Sequence, residues 1–211
     1  PLTTNNENSN PVEVTVSKNA KKNFIKIAII ALVIIIIGAI GFAGYKAAES
    51  KKAKETSETY YENLKDATST MLSSAASAES AGNLIKKVWY NAIYEERDST
   101  TDKYTRPNGY FVSDFNDALS NLFSDSSFKS KISSIESSQD EVLSIMKDLQ
   151  NPPEEYQNAY TALQSFYDDY LELTNLVTNP SGSLTTFSSN FNDADNKVSN
   201  SYGKMKLYLD N

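Results

Sequence analysis

The sequence predicts an all-α protein: one N-terminal transmembrane helix followed by an antiparallel four-helix bundle in up-down-up-down order. Three observations lead there. The run from Ile27 to Tyr45 carries no charge and is long enough to cross a bilayer. Beyond it, apolar residues recur at three- and four-residue steps, without the Val/Ile/Thr alternation of a half-buried strand. Turn-forming residues then divide that remainder into four stretches.

Taken in order, the chain reads as a disordered polar head (1–23), a transmembrane helix (24–46), a charged stalk (47–58) and a helical bundle domain (59–211). The head is rich in Asn, Thr and Ser, with too few apolar residues to bury. In the span, the stretch from Ala31 to Ile37 consists of apolar residues alone. Nineteen residues at about 1.5 Å each reach close to 28 Å, the thickness of a hydrocarbon core. Gly41 and Ala43 offer small residues of the kind a signal peptidase cuts after, but the head and the apolar run both outlast an ordinary signal peptide, so the segment reads as an uncleaved anchor.

The flanking lysines tie: Lys18, Lys21, Lys22 and Lys26 precede the span, and Lys46, Lys51, Lys52 and Lys54 follow it. The positive-inside rule therefore gives no orientation. The long acidic Ser/Asn/Tyr-rich portion with no second span places the bundle domain outside the cell, the protein being a single-pass component of the cell membrane.

Four helical stretches follow. The first has its seam at Leu64, Ala67, Met71, Ala75, Ala78, Gly82, Ile85, Trp89 and Ala92, and the small residues at its middle admit a close neighbour. It should stop before Pro107-Asn108-Gly109. The second begins at Phe111 and carries Phe115, Leu119 and Leu122 or Phe123. It breaks or kinks at Ser124-Asp125-Ser126-Ser127 and resumes with Phe128, Ile132, Ile135, Val142, Ile145 or Met146, and Leu149. Gln139 falls where that seam calls for an apolar residue, a placement that often fixes register.

The third stretch opens with Asn151 as N-cap, prolines in the first turn and the acids Glu154 and Glu155 at the positive helix end. Its seam runs Tyr156, Tyr160, Leu163, Tyr167, Tyr170, Leu173 and Val177, up to Asn179-Pro180-Ser181-Gly182. The fourth carries Leu184, Phe187, Phe191, Ala194, Val198, Tyr202, Met205 and Leu209.

Composition removes a block of chemistry. With neither cysteine nor histidine, these residues can form no disulfide, cysteine nucleophile, Ser-His-Asp triad or Cys/His zinc site. Four of the 20 basic residues and two of the 27 acidic ones precede the span, so the remainder carries a net charge of −9. A field of that sign repels phosphate backbones, and nucleic acid is not an expected partner.

The acid pairs Glu95-Glu96, Glu154-Glu155 and Asp168-Asp169 suggest acid/base or metal chemistry, yet neighbours on a helix point about 100° apart and do not converge. They read as a solvated face. Tyr156, Tyr160, Tyr167 and Tyr170 with Trp89 suggest a ligand pocket, but aromatics at helical spacing are ordinarily core. Lys86-Lys87 and Lys204 with Lys206 are too few for a nucleic-acid surface. No catalytic, cofactor-binding or metal residue is singled out, no cofactor is expected, and binding residues stay unassigned.

The stretches 149–156 (Leu-Gln-Asn-Pro-Pro-Glu-Glu-Tyr) and 173–183 (Leu-Thr-Asn-Leu-Val-Thr-Asn-Pro-Ser-Gly-Ser), behind a polar tail and a span, resemble a group of uncharacterised single-pass membrane-anchored helical proteins of Gram-positive bacteria. Some of that group carry a cysteine-bearing zinc ribbon before the span, which a chain without cysteine cannot have. The function expected is a non-enzymatic, membrane-tethered protein-interaction module, accessory or scaffold, displayed at the cell surface. The bilayer would be bound through Ile27 to Tyr45 and a protein partner through the bundle, with homo-oligomerisation left open. The alternative is an extracellular sensor or small-ligand-binding ectodomain acting through a partner.

Overall fold

A single helix of 43 residues, α1 (Lys52–Tyr94), organises the protein. The computed structural model describes residues 52–209, with side chains from Ser57 onward. The polar head, the apolar run from Ile27 to Tyr45 and the first part of the stalk lie outside the described residues. Among the described residues no helix is long and apolar enough to cross a membrane.

After α1 come a single-turn helix α2 (Asp102–Thr105), α3 (Phe115–Ser124), α4 (Ser126–Asp148), a 3-10 turn (Glu154–Tyr156), α5 (Gln157–Thr178) and α6 (Leu184–Lys206). The described residues are all-α, with no strand among them. All nine positions of the α1 seam are buried, from Leu64 to Ala92. That single stripe meets α3, α4, α5 and α6, which is why its middle consists of small residues. Gly82 shows the constraint: a Cβ there would fall inside the ring of Phe191 from α6.

Contacts along the bundle give the direction of each helix. Tyr156 stacks on Tyr60 at one end, and the Tyr170 hydroxyl donates to Ser74 Oγ at 3.0 Å midway, so α5 runs with α1. Phe187 lies against Trp89 at the far end while the Tyr61 hydroxyl donates to the Leu209 carbonyl at the near end, so α6 runs against it. Lys131 reaches Ser80 and the Tyr60 hydroxyl reaches the Leu149 carbonyl, so α4 also runs against α1.

Local chemistry sets the helix boundaries. Asp114 caps α3 by accepting from Asn116 N at 2.8 Å, so the helix starts there and not at Phe111. The break expected at 124–127 is a full interruption: Asp125 closes α3 with its own amide and opens α4 with its carboxylate, which accepts from Ser127 N and Phe128 N. The expectation of an N-cap at Asn151 does not hold. Pro153 restrains Pro152 to extended backbone and is itself extended (φ −52°, ψ 151°), so winding begins only at Glu154, as a 3-10 turn. At the far end of α5 the expected stop is present, and Ser183 then caps α6 by accepting from Thr186 N.

Where two seam residues competed, Leu122 and Met146 are the buried ones, while Phe123 and Ile145 are half-buried. Gln139 does join helices: its amide donates to Thr174 Oγ1 at 2.7 Å and Asn175 Oδ1 at 3.1 Å on α5. Phe166 is fully buried although it stands one residue off the expected seam; it packs on the half-buried Tyr202 ring of α6.

Two substitutions measure this packing. Phe187→Ala should lower unfolding free energy by about 3 to 5 kcal/mol, as a buried aromatic does. Gly82→Ala, which adds one carbon against the Phe191 ring, should cost about 1 to 3 kcal/mol. Chemical denaturation of each variant reads both values, and an unchanged midpoint for Gly82→Ala would mean that α1 and α6 are further apart than described.

Candidate interaction surface

The last turns of α1 divide into two faces. Val88, Trp89, Asn91 and Ala92 are buried, whereas Tyr90, Ile93 and Tyr94 face solvent with 48%, 41% and 60% of their surface exposed. Spacing of three and four residues places these three side by side, and the Tyr90 and Tyr94 rings lie 4.5 Å apart. On the buried side of the same turns Trp89 stacks on Phe115 and tilts against Phe187.

The helix ends immediately after this face without a glycine. Glu95 takes the left-handed conformation (φ 53°), and Glu96 N donates to Asn91 O at 3.1 Å, the long bond of a Schellman ending. A residue with a Cβ pays about 1 to 2 kcal/mol for that conformation. No glycine or proline marks this end in the sequence, where the first such residue after Tyr94 is Pro107.

The intervening residues 95–114 are fastened at several points. The Asp98 carboxylate accepts from Lys87 Nζ at 2.7 Å and from Thr100 N and Oγ1. Asn91 Nδ2 donates to the buried Thr101 Oγ1 at 2.8 Å. Lys103 pairs with Asp125 at 2.8 Å, Arg106 pairs with Asp102 at 3.1 Å, and Asn121 Nδ2 donates to the carbonyl of buried Tyr104. The lysine pairs are exposed and individually weak, while the Asn91, Arg106 and Asn121 bonds are at least partly buried. Tyr110, 83% exposed, projects from the segment.

The residues that the sequence offered as chemistry do not come together. Tyr156 stacks on Tyr60 and Tyr61 at the near end, while Trp89 lies 29 residues further along α1 than Tyr60, about 43 Å of helix. Tyr160, Tyr167 and Tyr170 are buried between those ends. They are core, not a pocket with Trp89. Of the acid pairs, Glu95 and Glu96 form the α1 terminus and are exposed, and Glu155 accepts from Ser57 Oγ. Loss of solvent, then the neighbouring Asp169 charge, raises the Asp168 carboxyl, although the residue as a whole is exposed.

Lys86 reaches Asn192 at 3.0 Å and lies over the Phe191 ring. Lys87 is held by Asp98. Among the described residues no group of three His, Cys, Asp or Glu is placed to hold a metal ion. No protein-family model matches this chain, and comparison with curated proteins and with solved structures gave no match.

Exposed tyrosine on a rigid base is suited to non-covalent contact, since the ring supplies large area at little conformational cost and the hydroxyl finds a partner. Tyr90→Ala with Tyr94→Ala should therefore leave stability within about 0.5 kcal/mol, as surface changes do, in contrast to Phe187→Ala. Differential scanning of the two variants side by side makes that comparison.

The charges give a second expectation. Hydrogen bonding from Lys87, then from Thr100, lowers the Asp98 carboxyl to about 2, and Lys103 likewise holds Asp125 below the usual range. Their stabilisation is present above the ordinary carboxylate pKa and is lost as pH falls through the depressed values. Asp168, being raised, offsets part of that loss. Burial, followed by the Asp168 and Tyr170 charges, pushes Tyr167 up to about 12. Burial also raises Tyr60, Tyr160 and Tyr170. The unfolded chain ionises these phenols near 10 and the folded one later, so stability falls as pH rises from about 10 to 12. With no histidine or cysteine in the chain, melting temperature should be flat from about pH 5 to 9 and drop on either side. A step near neutral pH would contradict this.

Proposed function

We propose that the chain is a non-enzymatic, membrane-tethered protein-interaction module of accessory or scaffold type, whose bundle domain contacts a protein partner through the Tyr90, Ile93 and Tyr94 face. The observation that carries the reading is this face: three adjoining, solvent-exposed residues, two of them aromatic, on a helix terminus fixed by the 95–114 segment. Exposed tyrosines of this kind are enriched where proteins meet. The core aromatics are buried between helices, whereas this face is open to solvent.

In the full architecture we propose, the apolar run from Ile27 to Tyr45 spans the cell membrane once, and the helices form an antiparallel up-down-up-down bundle displayed outside. The 19 uncharged residues support the span, and the pairings of Tyr60 with Tyr156 and of Trp89 with Phe187 support the bundle order.

Two experiments test the proposal separately. Protease added to intact cells should remove the bundle domain; protection until the cells are lysed would reverse the orientation. Affinity capture from solubilised membranes should recover a stoichiometric protein with the native chain and lose it with the Tyr90→Ala/Tyr94→Ala variant. Recovery of a small molecule without a protein, unaffected by that variant, would favour the sensor ectodomain.

A further inference from the structure

Residues 106–109 form a tight turn at the tip of the 95–114 segment, and the chemistry of that turn goes beyond any binding role. Asn108 and Gly109 are both exposed. Gly109 has φ +81°, and a Cβ built on it would meet nothing within 4 Å. Its amide donates to the Arg106 carbonyl at 2.9 Å. The Arg106 guanidinium folds back over the same turn, donating to the Gly109 carbonyl through Nη2 and pairing with Asp102 through Nη1 at 3.1 Å.

We propose that Asn108 is a site of spontaneous deamidation in the folded protein, and that the Arg106 turn sets its rate. An asparagine followed by glycine is prone to this reaction because no side chain shields the glycine amide. The Gly109 nitrogen, on losing its proton, attacks Asn108 Cγ. A C–N bond forms, the side-chain amide leaves as ammonia, and a five-membered succinimide results. Water then opens the ring at either carbonyl to give aspartate or isoaspartate. The net change is consumption of one water, release of one ammonia and gain of one negative charge.

The structure indicates what controls the step. The Gly109 N–H that must become the nucleophile is tied to Arg106 O, and the guanidinium holds the turn closed from the other side. The reaction proceeds when the turn opens, with a rate that reflects the strength of the clamp. Its product places a carboxylate two residues from Arg106, in competition with Asp102 for the same guanidinium. Isoaspartate also adds a methylene to the backbone immediately before exposed Tyr110.

The test follows the purified full chain in mildly alkaline buffer by peptide mass spectrometry, with isoaspartate assigned by fragmentation. The native chain should gain one dalton at Asn108 slowly, Arg106→Ala several-fold faster, and the urea-unfolded chain fastest. Asp102→Asn, which removes the ion pair and spares the turn, should fall between native and Arg106→Ala. It decides the matter if a dichroism melt shows Arg106→Ala to be unfolded. No product at Asn108 in the native chain, over the period in which the unfolded chain converts, overturns the site. Equal rates in native, Arg106→Ala and Asp102→Asn chains that remain folded overturn the clamp.

Discussion

Every other long helix rests on α1, so the spacing of residues along that one helix determines how near each neighbour comes. A continuous buried stripe from Leu64 to Ala92 must face α3, α4, α5 and α6. Bulky residues throughout would hold the neighbours apart, and the chain solves this by placing Ala75, Ala78, Ala81 and Gly82 at the middle. Aromatics then come from the partners: Phe191 fills the space over Gly82, and Tyr170, fully buried, reaches Ser74 with its hydroxyl. Large against small across an interface gives dense packing with few voids.

That arrangement explains why so much of the fold was legible. Helical periodicity is a burial signal, and burial here is one-sided and regular, so the seam of α1 could be read residue by residue and those of α5 and α6 in large part, with buried Phe166 one place off. The signal failed where two neighbouring apolar residues were equally well spaced, as with Leu122 and Phe123, since only the partner helix decides between them. It failed again at the ends of elements. Proline geometry moved the start of α5 past Asn151, and a glutamate took the left-handed position that sequence reading reserves for glycine.

The candidate surface was less legible, for a physical reason. Periodicity shows which residues face inward and is silent about those left outside. Tyr90, Ile93 and Tyr94 belong to no seam and were passed over. Nothing in the sequence signalled that residues 95–114 would fold back, because the pairs that fasten them join positions whose proximity depends on the finished bundle: Lys87 with Asp98, Asn91 with Thr101, Lys103 with Asp125. The tyrosine-rich seam, by contrast, attracted a functional reading and proved to be structural, with Tyr160, Tyr167 and Tyr170 buried.

The continuity of α1 has a mechanical consequence. Lys52 and Tyr94 are the two ends of one uninterrupted helix, so a pull applied at the first and resisted at the last travels through a single ladder of backbone hydrogen bonds loaded in series. The interfaces with α4 and α6 experience that load as shear along their length, spread over many side chains at once. A pull between Lys52 and Leu209 acts differently: both lie at the same end of the bundle, and α6 would peel away one turn at a time. The helical domain is therefore stiff along the line joining Lys52 to the aromatic face and weak between Lys52 and Leu209.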